Sequence, residues 1–351
     1  MFNKFFSRFS KDIGIDLGTA NTLIYVKDKG IVINEPSVVA VNLRTEAILA
    51  VGEEAKKMVG KTPAHIIAIR PLKDGVISDF EATEKMLKFF INKLHKETSS
   101  FIVRPKVVIG IPMGITEVEK KAVEDATLFA GAREVYLIEE PIADAIGARL
   151  PIHEPTARMI VDIGGGTTEI AIISLSGIVT HKSLRIAGDE FNETIISYVR
   201  EKFNVLIGET TAENVKIKIG SVYNLNNKEL QYKIQGRNLL TGLPVEIAIS
   251  DSEVREAITR PIKLILENIK LTLESSPPEL AADIYKYGIL LCGGGALLRG
   301  LDQLIIKEAK VPVVIADDPI TCAVRGTGLI LEDDRLLREV ALPATSTKRR
   351  Q

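Results

Sequence analysis

The stretch Ile15-Asp16-Leu17-Gly18-Thr19-Ala20-Asn21-Thr22 recurs 146 residues later as Val161-Asp162-Ile163-Gly164-Gly165-Gly166-Thr167-Thr168. In each copy an aspartate sits among apolar residues, glycine and hydroxyl residues follow, and a second apolar run begins (23–26 and 170–173). Apolar runs punctuated by glycine read as strand, turn and strand. Two copies at this spacing imply two similar domains.

Outward from these copies the chain alternates between two patterns. Residues 107–111, 159–163 and 289–292 are short, almost uninterrupted apolar runs, as expected of strands covered on both faces. Helical periodicity occupies 81–96, 116–129, 190–202 and 252–274. The fold class is therefore α/β, with sheets sandwiched by helices. A chain of 351 residues is too long for one compact core, which points to two lobes.

Glycines at 18 and 164–166 let the backbone approach a ligand closely, because no Cβ intervenes. Successive N–H groups in such a turn form a nest for phosphate oxygens. Thr19, Thr167 and Thr168 add hydroxyls. Asp16 and Asp162 would repel phosphate, so their sensible partner is a cation. Mg²⁺ is commonly held by one or two carboxylates together with nucleotide phosphates, often through water. A third cluster, Gly293-Gly294-Gly295-Ala296, follows the apolar run 289–292; alone, it is equally good as a tight turn. Neither loop is a Walker A sequence or a dinucleotide fingerprint.

Composition narrows the classes. With 45 basic and 46 acidic residues the net charge is −1, so there is no electrostatic case for nucleic acid. Cys292 and Cys322 cannot build a disulfide framework and suit a reducing cytoplasm; Cys292, in an apolar run, reads as a buried inert thiol. His65, His95, His153 and His181 show no metal-ligand spacing. No apolar run approaches the roughly 20 residues that span a bilayer, and residues 1–10 hold no continuous apolar stretch of a secretory signal. A cytoplasmic protein is expected.

The combination of 16–22, 162–168 and 293–296 resembles the two phosphate segments and the adenosine segment of the actin, chaperone and sugar-kinase superfamily. Segments 13–25, 31–39, 70–79, 137–148, 188–189, 207–212 and 277–280 narrow the resemblance to the MreB family of bacterial actins, over residues 11–331. The resemblance implies an actin-like fold of two ribonuclease-H-like lobes, each with a smaller subdomain, and ATP with Mg²⁺ in the cleft. The implied division is 11–32, 66–145 and 315–335 for the first lobe core, with 33–65 as its small subdomain. The second lobe core is then 146–181 and 246–314, with 182–245 as its small subdomain and 336–351 as a flexible tail.

Carried over residue by residue, Thr19, Ala20, Asn21, Gly164, Gly165, Gly166 and Thr167 would contact phosphates. Gly293, Gly294, Gly295 and Ala296 would lie against adenosine, joined by Glu213, Asn214, Val215 and Lys216 from the second small subdomain. Glu213 and Lys216 share one helix face by their spacing; alone, the pair reads more often as a solvated ion pair, and the resemblance reverses that reading. In the family the carboxylate before proline orients the attacking water, which assigns that role to Glu140 in Ile138-Glu139-Glu140-Pro141, at a strand end. Thr167 would position the water, and Glu139 is the adjacent alternative. Asp144 departs from the family pattern, where a small alanine is usual, and is either an exposed substitution or a modest perturbation of the site.

At the N-terminus Phe2, Phe5, Phe6 and Phe9 follow the spacing of one helix face, with Lys4, Arg8 and Lys11 supplying positive charge. This describes a short helix lying in anionic headgroups at the inner face of the membrane. Burying each phenylalanine contributes about 1.5–3 kcal/mol, whereas ordering each residue costs about 1–2 kcal/mol. One copy should bind weakly and a filament strongly. The alternative, that these rings pack on their own domain, stays open.

Fold alone does not choose among the superfamily's functions. A chaperone needs a peptide-binding domain beyond the core, and a sugar kinase needs a substrate pocket with a base; neither is legible. A cell-division actin usually carries its membrane helix at the C-terminus. Length and the N-terminal phenylalanines favour a cytoskeletal filament protein over a cell-division actin relative or a small-molecule kinase, and the resemblance implies a slow, assembly-coupled ATPase that directs cell-wall elongation and cell shape. By the same resemblance its partners are itself, in double protofilaments, the membrane surface, and the wall machinery including RodZ and MreC.

Overall fold

A computed structural model describes residues 12–98, 104–224 and 229–343 of the chain. Phe2, Phe5, Phe6 and Phe9 lie outside the described residues. The described residues form two compact units. One holds the chain up to Pro155, Ser174–Ile178 and everything from Thr321 on; the other holds Thr156–Ile173 and Val179–Ile320.

The first unit's strands are, in chain order, β1 (Ile13–Leu17), β2 (Asn21–Val26), β3 (Gly30–Pro36), β4 (Val39–Asn42), β5 (Ile48–Val51), β6 (Ile66–Ile69), β7 (Leu72–Lys73), β8 (Val76–Ile77), β9 (Lys106–Ile111) and β10 (Glu134–Glu139). Five of them make the main sheet, ordered β10-β9-β1-β2-β3. β1 is antiparallel to β2 and parallel to β9, and β9 is parallel to β10. Every residue of β9 after Lys106 is buried, which is why it reads as an unbroken apolar run. Helix Phe80–Thr98 buries Met86, Leu87, Phe90 and Ile91 in this unit's core. A three-stranded sheet, β5-β4-β6, carries its own small cluster around Val38, Ala40 and Ala55.

The second unit contains β11 (Arg158–Ile163), β12 (Thr168–Ser174), β13 (Gly177–Leu184), β14 (Val205–Leu206), β15 (Gln231–Asn238), β16 (Pro244–Ser250), β17 (Ile289–Cys292) and β18 (Val313–Ile315). Its main sheet, β13-β12-β11-β17-β18, repeats the first. β11 is antiparallel to β12 and parallel to β17, which is parallel to β18. Both sheets thus have the ribonuclease-H-like arrangement that the resemblance implies. The duplication extends to register: Asp16 pairs with Leu23 and Leu17 with Thr22, while Asp162 pairs with Glu169 and Ile163 with Thr168. A second three-stranded sheet, β14-β15-β16, accompanies this unit.

Helix Asp251–Glu274 lays Val254, Ile258, Ile262, Ile265 and Ile269 into the core at helical spacing. Ser250 caps it, its hydroxyl accepting from the Glu253 N–H while Glu253 returns the bond. The same box, Thr116 with Glu119, starts helix Glu117–Phe129, so Thr116 is the cap rather than the first helical residue. Among the described residues no helix is long and apolar enough to cross a membrane.

Candidate functional site

In the first unit Asp16 lies near the end of β1, directly beside Gly110 of β9. The turn that follows is closed by the Gly18 N–H donating to the Asn21 carbonyl at 3.1 Å. Ser37 clamps this turn from outside. Its hydroxyl donates to the Gly18 carbonyl at 2.7 Å, its N–H donates to the Ala20 carbonyl at 3.0 Å, and Thr22 Oγ1 lies 2.9 Å from its Oγ. Both hydroxyl side chains are fully buried, so these bonds replace water outright. Thr19 is buried too, and its hydroxyl accepts the Gly75 N–H at 3.0 Å, fastening the loop to the turn between β7 and β8.

Glu140 is the first residue of helix Glu140–Gly147, because β10 ends at Glu139 and Pro141 starts the helix with its fixed φ. The expected strand end is thus a helix start. Glu140 is buried, and a Cβ on Gly110 would stand 3.4 Å from its Cγ. Gly110 therefore places Glu140 beside the strand pair that carries Asp16. Glu139 is only half-buried and caps the helix with its backbone alone. Asp144 is buried, with 1% of its surface exposed, which removes the reading of an exposed substitution.

The second unit builds the same turn with more glycine. The Gly164 N–H donates to the Thr167 carbonyl at 2.9 Å, and Thr167 is buried. Two further carbonyls of the loop are taken by the start of helix Gly188–Phe203: Gly188 N–H to Gly164 at 3.2 Å and Asp189 N–H to Gly165 at 2.8 Å. A Cβ on Gly188 would stand 3.2 Å from the Gly164 carbonyl, so glycine permits the approach. Asp162 pairs with Cys292 across β11 and β17, and Gly293 follows at φ +75°. A side chain on Gly293 would overlap the Asp162 carboxylate, and one on Gly295 would overlap Ile163. Asp162 keeps some accessible surface, yet burial raises its carboxyl to about 7.

Residues 293–296 turn through a short 3₁₀ helix, Gly294–Leu297, with Gly295 and Ala296 buried. Helix Glu209–Ile219 carries Glu213 and Lys216 one turn apart. The Lys216 ammonium donates to the Gly188 carbonyl at 2.7 Å, which ties this helix to the residue holding the Gly164 loop. Glu213 is half-buried and Asn214 exposed. Val215 turns into the hydrophobic core, so a ligand could meet only its backbone.

Within each unit the predicted residues come together: Asp16, Thr19 and Glu140 in one, Asp162, Gly164, Gly165, Gly293 and Lys216 in the other. The sequence reading assigned no role to Ser37, Gly75, Gly110 or Gly188. Ser37 left one signal, a lone hydroxyl before the apolar run 38–41. The donor set in each unit, a carboxylate with backbone and hydroxyl groups, is all oxygen and nitrogen. It suits a hard cation such as Mg²⁺ together with phosphate, and the side-chain-free approach at Gly293 leaves the Asp162 oxygen uncovered by a neighbouring Cβ.

Comparison with known proteins adds to this geometry. The family model described as MreB/Mbl protein matches residues 10–339. The cell shape-determining protein MreB of Escherichia coli is 52% identical over 337 residues, covering 95% of this chain and 96% of that protein. The cell shape-determining protein Mbl of Bacillus cereus is 52% identical over 330 residues, covering 93% of this chain and 98% of the relative. Among solved structures, MreB5 of Spiroplasma citri bound to ADP superposes with a TM-score of 0.87 at 40% identity, over 92% of this chain and 96% of that one. The same protein bound to AMPPNP gives a TM-score of 0.87 at 38% identity, over the same shares.

Proposed function

Because the chain belongs to the MreB/Mbl family of actin-like, cell shape-determining proteins, we propose that it binds and hydrolyses ATP and polymerises into membrane-associated filaments that direct wall elongation. The observation that carries this reading is the duplicated loop. Two units present the same strand, the same turn closed by the same bond, and an aspartate in the same register. The nucleotide-bound structures of MreB5 support adenine nucleotide as the ligand.

In this reading Thr19, Ala20 and Asn21 serve phosphate oxygens from the first unit. Gly164, Gly165, Gly166 and Thr167 do so from the second, and 293–296 with Glu213 and Lys216 receive adenosine. Asp16 and Asp162 would hold Mg²⁺, which when bound would neutralise charge on the phosphates. Glu140 orients the attacking water and accepts its proton as the bond to the leaving ADP breaks, and Thr167 positions that water. The division into lobe cores and small subdomains, with 33–65 and 182–245 as the latter, is part of the same proposal. Phe2, Phe5, Phe6 and Phe9 supply the membrane contact at the inner face, and the partners are further copies of the chain and the wall machinery including RodZ and MreC.

Sedimentation with ATP, ADP or no nucleotide, with and without anionic liposomes and read by electron microscopy, tests the proposal. Filaments that need nucleotide and lie on lipid are expected. Liposome co-sedimentation unchanged after deletion of residues 2–9 would sink the membrane contact. Soluble monomers that still turn over ATP would replace the filament with a kinase.

A further inference from the structure

We propose that Arg299 is a positioning residue for the nucleoside, locking helix Glu209–Ile219 to residues 293–296; the assignment rests on the nucleotide reading above. Arg299 follows the glycine cluster by three residues. Its guanidinium donates to the last carbonyl of the helix and to that of its C-terminal cap, Nη2 to Ile219 at 2.6 Å and Nε to Gly220 at 3.1 Å. Its own carbonyl accepts the Val222 N–H at 3.0 Å, so side chain and backbone hold the same helix end. A helix C-terminus presents unsatisfied carbonyls and partial negative charge, and a forked cation meets both needs.

The position is braced. Asp251 Oδ2 lies 3.7 Å from Arg299 Nη2 and 3.3 Å from Arg255 Nη2, and Arg255 in turn donates to Ser221 Oγ at 2.9 Å. One turn before the helix end, Lys216 reaches the Gly188 carbonyl, and the Gly188 N–H donates to the Gly164 carbonyl. The last turn of the helix bearing Glu213 and Lys216 therefore makes two separate contacts, one to the phosphate turn through Lys216 and one to the glycine cluster through Arg299. Arg299 governs only the second. Its loss should let the nucleoside-facing helix drift from 293–296 while the phosphate turn stays closed by its own backbone bonds.

The test uses the full chain and competition against a fluorescent ATP analogue, with ATP and inorganic tripolyphosphate as the two competitors. Thermal melting without nucleotide reads the fold. Arg299→Gln should weaken ATP by about tenfold, equivalent to about 1.4 kcal/mol, and leave tripolyphosphate within about twofold. Arg299→Lys keeps the charge but offers no fork, so it should show the same selective loss at about threefold. If Arg299→Gln fails to fold, the lysine variant carries the comparison. ATP affinity unchanged in both variants overturns the proposal, as does an equal loss for ATP and tripolyphosphate, which marks a purely structural role. An unaltered chain that binds ATP no better than tripolyphosphate overturns the nucleotide reading itself, and shows this before any substitution.

Discussion

Glu140 occupies the first turn of a helix with its Cγ over Gly110, the residue paired with Asp16. A general base contributes about 10²–10⁴-fold to a rate, so Glu140→Ala should retain ATP binding and lose at least about a hundredfold in hydrolysis. Paired assays of nucleotide binding and phosphate release check it, and normal release would move the role to another group. Gly293 and Gly294 make a second residue-level contrast. Gly293 has φ +75° and its missing Cβ would overlap the Asp162 carboxylate, whereas a Cβ on Gly294 meets nothing within 4 Å. Gly293→Ala should destabilise the protein by about 1–3 kcal/mol, with Gly294→Ala within about 0.5 kcal/mol of the unaltered chain. Urea unfolding of the two variants side by side measures the difference.

Elements meet where side chains are absent. Helix Cys322–Glu332 packs on helix Glu140–Gly147 so closely that a Cβ on Gly326 would overlap the Ala143 carbonyl, and one on Gly147 would overlap the Cys322 carbonyl. Backbone cannot yield as a flexible side chain does. Gly326→Ala should therefore cost upwards of about 2 kcal/mol and slow hydrolysis by moving the helix that starts at Glu140; melting temperature and phosphate release should fall together. A charged contact joins three other elements: Glu35 of β3 accepts the Glu53 N–H at 2.9 Å and the Lys93 ammonium at 3.0 Å. Burial by itself would raise the Glu35 carboxyl, but the Glu53 N–H and the Lys93 charge outweigh it and hold the carboxyl below its ordinary 4.5. A carboxyl lowered by folding stabilises the fold above its unfolded value and loses that contribution as pH falls toward the folded one. Glu35→Gln should thus cost about 0.2–1 kcal/mol at pH 7, and the gap from the unaltered chain should close on acidification below about pH 4. Urea midpoints across that range read it, and a gap that persists at low pH would assign the effect to packing.

For the molecule as a whole, assembly is the property that a single chain does not display. If polymerisation aligns Glu140 with its substrate, ATP turnover per subunit should rise steeply with protein concentration and track the sedimented fraction. Turnover independent of concentration contradicts the coupling. The α/β class, the duplication and both glycine turns were legible in the chain itself. They depend on residues adjacent in sequence, where apolar runs, glycines and an aspartate dictate strand, turn and strand whatever surrounds them. The cores of helices 81–96 and 252–274 were legible for the same reason, since burial of one face imposes a period that the residues must carry. What the tertiary structure decided is how remote residues serve those turns. Ser37 clamps Gly18 across 19 positions, Gly188 joins Gly164 to Lys216, and Arg299 reaches Gly220 across 79. Val215, which the resemblance groups with Glu213 and Lys216, turns its side chain into the core. A side chain's role there is set by which carbonyl or amide lies within about 3 Å of it, and that distance exists only once the sheets and helices have packed.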